Sequence, residues 1–314
     1  MKTSFKIYIF LTITLILWAS AFVGIRAGLK VYSPGALALL RYFIASLAIL
    51  PLYIIYRRKK ENFTRADIVS LIILGILNFS IYNVALNTGE KLVDASLASF
   101  VIAQSPVLTV ILARIFLKER LMLLGWVGLI VSIIGVLIIA LTHHTSMRFQ
   151  LSLLDILVAA LCSSVACIMQ KSLLKKMNGI EMTAVIIWIG VIPLFIFSPQ
   201  LWRELHHATL FQTFPVIYLG IFPGALAYMF WALALKELPA VKAINSLYTM
   251  PILATFIGWL WLGEVPKLFA FIGGLIALIG ALMVHFSKVH LQQDQLKDQF
   301  TGERFPLPLS KDRD

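Results

Sequence analysis

Long apolar runs separated by short polar stretches set the pattern of this chain from near its start to about residue 286. Lys2 and Lys6 precede a run over 7–25. A second run covers 34–56 and ends in Arg57-Arg58-Lys59-Lys60; three more follow at 67–87, 92–117 and 121–141. After a short polar linker, 142–150, the pattern restarts at 151–174, 181–198, 212–235, 239–262 and 266–286. A helix needs about 20 mostly apolar residues to cross a bilayer, so the pattern predicts ten transmembrane helices in an all-α integral membrane protein. Ala19-Ser20-Ala21 resembles a signal-peptidase site. Nine further runs follow, and the first half would lose its opening helix if cut there, so the run reads as a retained span. The tail, 287–314, is polar and carries Pro306 and Pro308. It is expected to be a cytoplasmic extension with at most a short helix.

The runs are not independent. Pro106 is matched by Pro251 (251 − 106 = 145), and the same shift lays Leu74-Gly75-Ile76 on Leu219-Gly220-Ile221. Glu119 falls on Glu264, Gly128 on Gly273 and Gly135 on Gly280, with no gap between. Leu and Ile coincidences are cheap in an apolar chain; Gly, Pro and Glu in step are not. A fixed long period marks a duplicated unit, here 7–141 and 151–286. In a membrane chain a duplication of this size suggests two pseudo-symmetric halves around a transport path.

Composition and charge sharpen this. Hydrophobic residues make up 60% and charged residues 13% of 314, against roughly 25% charged in a soluble domain, and mean hydropathy is +0.90. The net charge of +12 is scattered through loops, not gathered on a face, which argues against a nucleic-acid partner. Cys162 and Cys167 form neither a CxxC pair nor a disulfide framework. With ten spans, the termini and alternate loops share one side, which carries fourteen Lys and Arg before the tail. The other side carries six: Arg26, Lys30, Lys91, Arg148, Arg203 and Lys267. That bias places both termini in the cytoplasm. Five spans per half is odd, so the second half is expected upside down relative to the first.

Several stretches resemble a known family. The first half carries Ala95-Ser96-Leu97-Ala98 leading to Ser105-Pro106, then Leu117-Lys118-Glu119-Arg120 and a helix with Gly125, Gly128 and Gly135. The second carries Leu238-Pro239-Ala240 leading to Met250-Pro251, then Leu262-Gly263-Glu264 and a helix with Gly273, Gly274 and Gly280. With Trp18 to Phe22 and Arg41-Tyr42-Phe43, these are similar to the drug/metabolite transporter superfamily, specifically its ten-span EamA family. The resemblance covers nearly everything before the tail. It implies two inverted five-helix repeats and transport of a small solute; its members move amino acids, nucleotide-like metabolites and drugs.

Candidate chemistry gathers around the paired prolines. A mid-span Pro frees the carbonyl four residues back, here Ile102 and Leu247, and in lipid that carbonyl needs a partner or a wet cavity. Interrupted helices at matched depth in inverted halves point to a midplane site, with Pro106 and Pro251 as hinges; a packing kink is the alternative. Gln104, Tyr248 and Thr249 flank the breaks. Arg41 lies about seven residues into its span, roughly 10 Å below the outer boundary. It either holds a substrate carboxylate or phosphate or serves a structural role. Asn83, Tyr228, Trp231, Trp18 and Ser20 complete the candidate lining. Gly128 with Ser132, and Gly273 with Ala277, are spaced for close helix packing within or between protomers. Glu119 and Glu264 read as caps for the helices that follow.

No acidic residue or histidine before the tail falls in mid-span, so no proton carrier stands out. No Walker motif is present, no metal or cofactor set is expected, and the spans lack the convergent acid, base or metal groups an enzyme needs. The reading is a secondary transporter of a small polar metabolite, an amino acid or related compound moving outward. A non-transporting scaffold or membrane-embedded enzyme is the alternative. Membrane lipid and a small-molecule cargo are the implied partners, with a homodimer left open.

Overall fold

A computed structural model describes residues 5–57, 63–117, 123–141, 147–238, 243, 246–264 and 266–301, with the side chains of 113–117, 285 and 287–301 left aside. The described residues are helical, without a strand. The helices are α1 (Phe5–Gly28), α2 (Pro34–Tyr56), α3 (Arg65–Gly89), α4 (Ala95–Ile102), α5 (Ser105–Leu117), α6 (Leu123–Leu141), α7 (Met147–Leu173), α8 (Gly179–Leu194), α9 (Ser198–His207), α10 (Leu210–Glu237), α11 (Met250–Leu262) and α12 (Leu268–Thr301). Among the described residues, eight candidate spans are long and apolar enough to cross a membrane. The apolar helices over Leu247–Leu262 and Leu268–Val284 are shorter.

Local chemistry starts these helices where the sequence places them. Pro34 begins α2, where a missing N–H costs nothing. Thr64 and Asp67 form a reciprocal capping box at α3, and Thr209 and Gln212 form the same box at α10. Those two boxes are again 145 residues apart (209 − 64 = 145), so the repeat extends below the window in which it is plainest.

The halves meet as a reciprocal pair. A Cβ on Gly128 would lie 2.7 Å from the Gly280 carbonyl oxygen, and one on Gly273 would lie 2.9 Å from that of Gly135. Gly135 and Gly280 close against the Ala277 and Ser132 backbones in turn. Position 128 thus opposes 280 while 135 opposes 273, so α6 and α12 run antiparallel. The pattern recurs deeper: Gly75 abuts the Ile186 carbonyl and Gly220 abuts the Arg41 carbonyl, each contact the other's image under the 145-residue shift. The small residues Gly128, Ser132, Gly273 and Ala277 are therefore spent inside the chain, joining its own halves. Ile130, Ile133, Ile134 and Leu137 of α6 point outward and exposed, the inside-out arrangement lipid favours.

Four features depart from the sequence expectation. The last four residues of the anticipated linker, Met147 to Gln150, are the first turn of α7; 142–146 lie outside the described residues. Helix α12 runs on to Thr301 instead of ending near Phe286, because the polar stretch after it holds no Gly or Pro before Gly302. The seventh span is followed by α9, whose Glu204 carboxylate accepts the Ser33 N–H at 3.0 Å and so caps α2. Finally α3 and α10 each contain a widened π turn, Ile76–Ile81 and Gly220–Leu226. These too are repeat-equivalent (221 − 76 = 145). Such turns concentrate at functional sites.

Candidate functional site

Between the halves lies a cavity of about 930 Å³, counting its open mouth. Repeat-equivalent residues build its walls: Trp18 and Ser163, Ala21 and Ala166, Phe22 and Cys167, Leu86 and Trp231, Ile102 and Leu247, Ser105 and Met250. The cavity therefore sits on the axis relating the halves. Its polarity is lopsided, because Arg41 is matched in the second half by Ile186 and Asn78 by Pro223.

Arg41 is 3% exposed and belongs to the cavity wall. Its Nη1 donates to Asn83 Oδ1 at 3.3 Å, and its guanidinium lies 5.0 Å from the Tyr42 ring centre. The Tyr42 hydroxyl donates to the same Asn83 oxygen at 3.0 Å. The Asn83 amide in turn donates to the Asn78 and Phe79 carbonyls at 3.1 and 3.2 Å. Those carbonyls belong to the π turn, where the widened backbone releases acceptors. One asparagine thus ties the irregular turn to the buried cation. Across the cavity the Trp18 ring meets Tyr228 at 5.0 Å and Trp231 at 5.2 Å.

Among the described residues, three buried donors of this wall have no partner: Arg41 Nε, Asn78 Nδ2 and Trp18 Nε1. Gln170 Oε1, also in the wall, is an unpaired acceptor. An unsatisfied buried polar atom costs about 1–3 kcal/mol. A cargo bringing acceptors to Arg41, Asn78 and Trp18 would recover that cost.

The structure brings Trp18, Arg41, Tyr228, Trp231 and Pro106 to the cavity and places Asn83 directly behind it. The other candidates lie elsewhere. The Ser20 hydroxyl bonds the Leu17 carbonyl and the Tyr218 hydroxyl. The Tyr248 hydroxyl donates to the Ala281 carbonyl at 3.2 Å. Thr249 is exposed and donates to the Ser246 carbonyl. Gln104 accepts from Ser132 and donates to the Phe100 carbonyl at 3.2 Å, a packing link between α6 and the helix break. Gln104→Ala is accordingly expected to lower the thermal stability, by about 1–3 kcal/mol, without changing cargo affinity; weaker binding at unchanged stability would return Gln104 to the cavity.

Both helix breaks are present, and their freed carbonyls are satisfied internally. Ile102 accepts from the Ser105 hydroxyl at 2.7 Å, and Leu247 accepts the Met250 N–H in a 3₁₀ turn. Pro106 lines the cavity, whereas Pro251 is buried away from it. Sequence reasoning passed over Asn78, Tyr82, Ser163, Ser164 and Gln170. Only the 145-residue shift applied to Trp18 would have pointed to Ser163.

One helical turn beyond the lining residues Phe22 and Leu86 stand Arg26 and Glu90. Arg26 Nη1 donates to the Glu90 carbonyl at 2.7 Å, Nε donates to Glu264 Oε1 at 3.1 Å, and Nη2 sits 3.0 Å from that oxygen and 3.6 Å from Asp94. Glu264, expected to cap the last helix, is instead drawn onto this guanidinium; Glu119 lies outside the described residues. At the cavity's other end, one turn beyond Cys167 and Trp231, Lys171 Nζ donates to the Leu235 and Leu238 carbonyls at 2.7 and 3.1 Å. Arg26 and Lys171 are equivalent, as are Glu90 and Leu235 (171 − 26 = 145; 235 − 90 = 145). Two related cation clasps bracket the cavity.

Glu90, placed by the sequence among the loop residues, is completely buried, and among the described residues neither carboxylate oxygen has a hydrogen-bond partner. Burial holds its carboxyl well above the usual carboxylate range; Arg26 and then Arg41 pull it back, and Glu264 pushes it further up.

The sequence profile of the EamA-like transporter family matches residues 5–141 and 150–286. An uncharacterized transporter of Bacillus subtilis is 35% identical over 303 residues, 96% of this chain and 98% of that protein. A probable terminal-alkyne amino-acid exporter of Streptantibioticus cattleyicolor is 33% identical over 279 residues, 88% of this chain and 92% of the relative. A solved crystal structure aligns with a TM-score of 0.60 over 89% of this chain and 96% of its own, at 15% identity; that likeness is one of fold.

Proposed function

We propose, for a chain that belongs to the EamA-like transporter family, that it exports a small carboxylate-bearing metabolite of the amino-acid class by alternating access. The chain is an integral, multi-pass membrane protein of two repeats, and its family and relatives are transporters, not enzymes. In our reading the ten apolar segments all span the membrane, the halves are inverted, and both termini are cytoplasmic in a plasma membrane. The antiparallel pairing of α6 and α12 supports the inversion, and the Lys and Arg bias supports the orientation.

The observation that carries the cargo assignment is that Arg41, Asn78 and Trp18, each with a buried donor unpaired among the described residues, wall one cavity shared by both halves. A guanidinium with flanking N–H groups matches the geometry of a carboxylate. The Trp18, Tyr228 and Trp231 rings offer an apolar surface for the body of the cargo. The relative named a probable terminal-alkyne amino-acid exporter agrees with that chemistry. The Arg26 clasp closes the outer end of the path and the Lys171 clasp the inner end, opening in alternation.

The test is saturable flux in reconstituted vesicles, comparing labelled L-propargylglycine and L-leucine with the amines that lack their carboxyl group. The reading expects transport of the acids and none of the amines. Flux at the level of empty vesicles for all of them would favour a scaffold, and equal flux of the amines would remove the carboxylate from the recognition.

A further inference from the structure

We propose that Glu90 is the proton carrier of this transporter, holding one proton while the Arg26 clasp is closed and exchanging it for cargo during each cycle. The inference rests on the transport reading above. With the clasp closed, Arg26 spends Nη1 on the backbone carbonyl of Glu90 and its other nitrogens on Glu264. The Glu90 side chain is left sealed from solvent and, among the described residues, without a donor. An unpaired anion in such a place costs several kcal/mol, so the sealed carboxyl keeps its proton. When the clasp opens, water reaches the oxygens and the cost disappears. Closure and proton binding are thereby linked.

The surroundings also couple the carboxyl to the cavity. Arg26 of α1, Arg41 of α2 and Glu264 of the turn before α12 all act on the carboxyl. Its own segment carries Tyr82, Lys91 and Asp94. α7, which packs on Gly89 through Ser152 and Ile156, carries Asp155 and Cys162, neither of which is among the charges acting on it. Arg41 also walls the cavity, so Glu90 is within electrostatic reach of cargo as well as of the clasp. The ammonium of an amino acid entering the cavity favours the carboxylate. The O–H bond of the carboxyl then breaks and its proton passes to water on the side open to the cavity. Reopening of the Arg26 end lets a proton from that side replace the cargo ammonium. One proton moves in for each cargo molecule moved out.

At that stoichiometry, each pH unit of gradient supports about tenfold accumulation of cargo. In vesicles with labelled L-propargylglycine, the wild-type chain should accumulate it in response to a pH gradient, and Glu90→Gln should lose that response while melting no lower than wild type. The raised carboxyl adds a sign to the melting test. Its stabilisation is complete at low pH and is lost as pH rises through the folded-state value. Wild-type stability should therefore fall with rising pH, and E90Q should lack that slope. Gradient-driven accumulation by E90Q, or wild-type exchange indifferent to the gradient, would overturn the proposal. If the wild type moves no L-propargylglycine, the cargo reading fails, and Glu90 is still decided by infrared spectra of the purified protein. A protonated-carboxyl band at neutral pH, present in wild type and absent from E90Q, is expected; identical spectra would overturn the assignment.

Discussion

Arg41→Ala should weaken cargo binding by one to two orders of magnitude while leaving a folded protein. A hydrogen bond to a charged group contributes about 1.5–3 kcal/mol, and each 1.4 kcal/mol is about tenfold in affinity. The fold has a reserve at this point. When the guanidinium goes, Asn83 Oδ1 keeps the Tyr42 hydroxyl and the Asn83 amide keeps its two π-turn carbonyls. Removing a half-paired buried cation also relieves its own desolvation cost. Arg41→Lys should recover little, since a single ammonium cannot reproduce the planar fork. Equilibrium binding of labelled L-propargylglycine alongside thermal melting separates the outcomes. A collapsed fold with unchanged affinity in the surviving fraction would make Arg41 structural.

The second large effect belongs to the clasp. Arg26→Gln removes the cation that faces Glu264 and Asp94 and that holds the Glu90 carbonyl. The carboxylates left behind repel one another. The cluster is partly exposed, so each ionic contact is screened to about 0.2–1 kcal/mol; with the charged hydrogen bond to the Glu90 carbonyl, the combined loss is expected to be about 2–3 kcal/mol. A shift of that size moves a conformational balance by one to two orders of magnitude, at about tenfold per 1.4 kcal/mol. Gradient-driven accumulation should fall at least about tenfold while exchange across zero gradient persists. Arg26→Glu combined with Glu264→Arg should restore part of it. Lys171→Gln should do less, since its described partners are two carbonyls. Accumulation by Arg26→Gln equal to wild type would show that the cluster is only a surface tie.

What could be read in advance followed from side chains that signal their backbone. Gly, Pro and Glu in step revealed the repeat, and Ser33-Pro34 placed the start of α2 correctly because Pro at the first helical position gives up no intrahelical hydrogen bond. The paired π turns were invisible, since Ile76 to Ile81 keeps the apolar composition of an ordinary helix. Gln104 and Thr249 are equivalent in sequence yet differ in place. The first break is a turn that tucks Gln104 against Ser132, the second a 3₁₀ turn that swings Thr249 outward. Glu90 looked solvated because it follows the end of an apolar run; only the fold brings α1 and the turn at Glu264 over it. Arg41 was conspicuous by its depth and Asn83 was a candidate from the sequence, but the bond between them and the unpaired Asn78 needed coordinates.

The central claim is that one cavity between two inverted halves opens first to one face of the membrane and then to the other. Cys167 offers a direct measure, because it lines that cavity and is partly accessible. In a Cys162→Ser background, a membrane-impermeant maleimide applied from each face in turn should modify Cys167. Labelling from the outer face should rise at least about tenfold in Arg26→Gln, and bound cargo should protect the thiol from both sides. Modification from one face alone, unchanged by the loss of the clasp, would contradict the account.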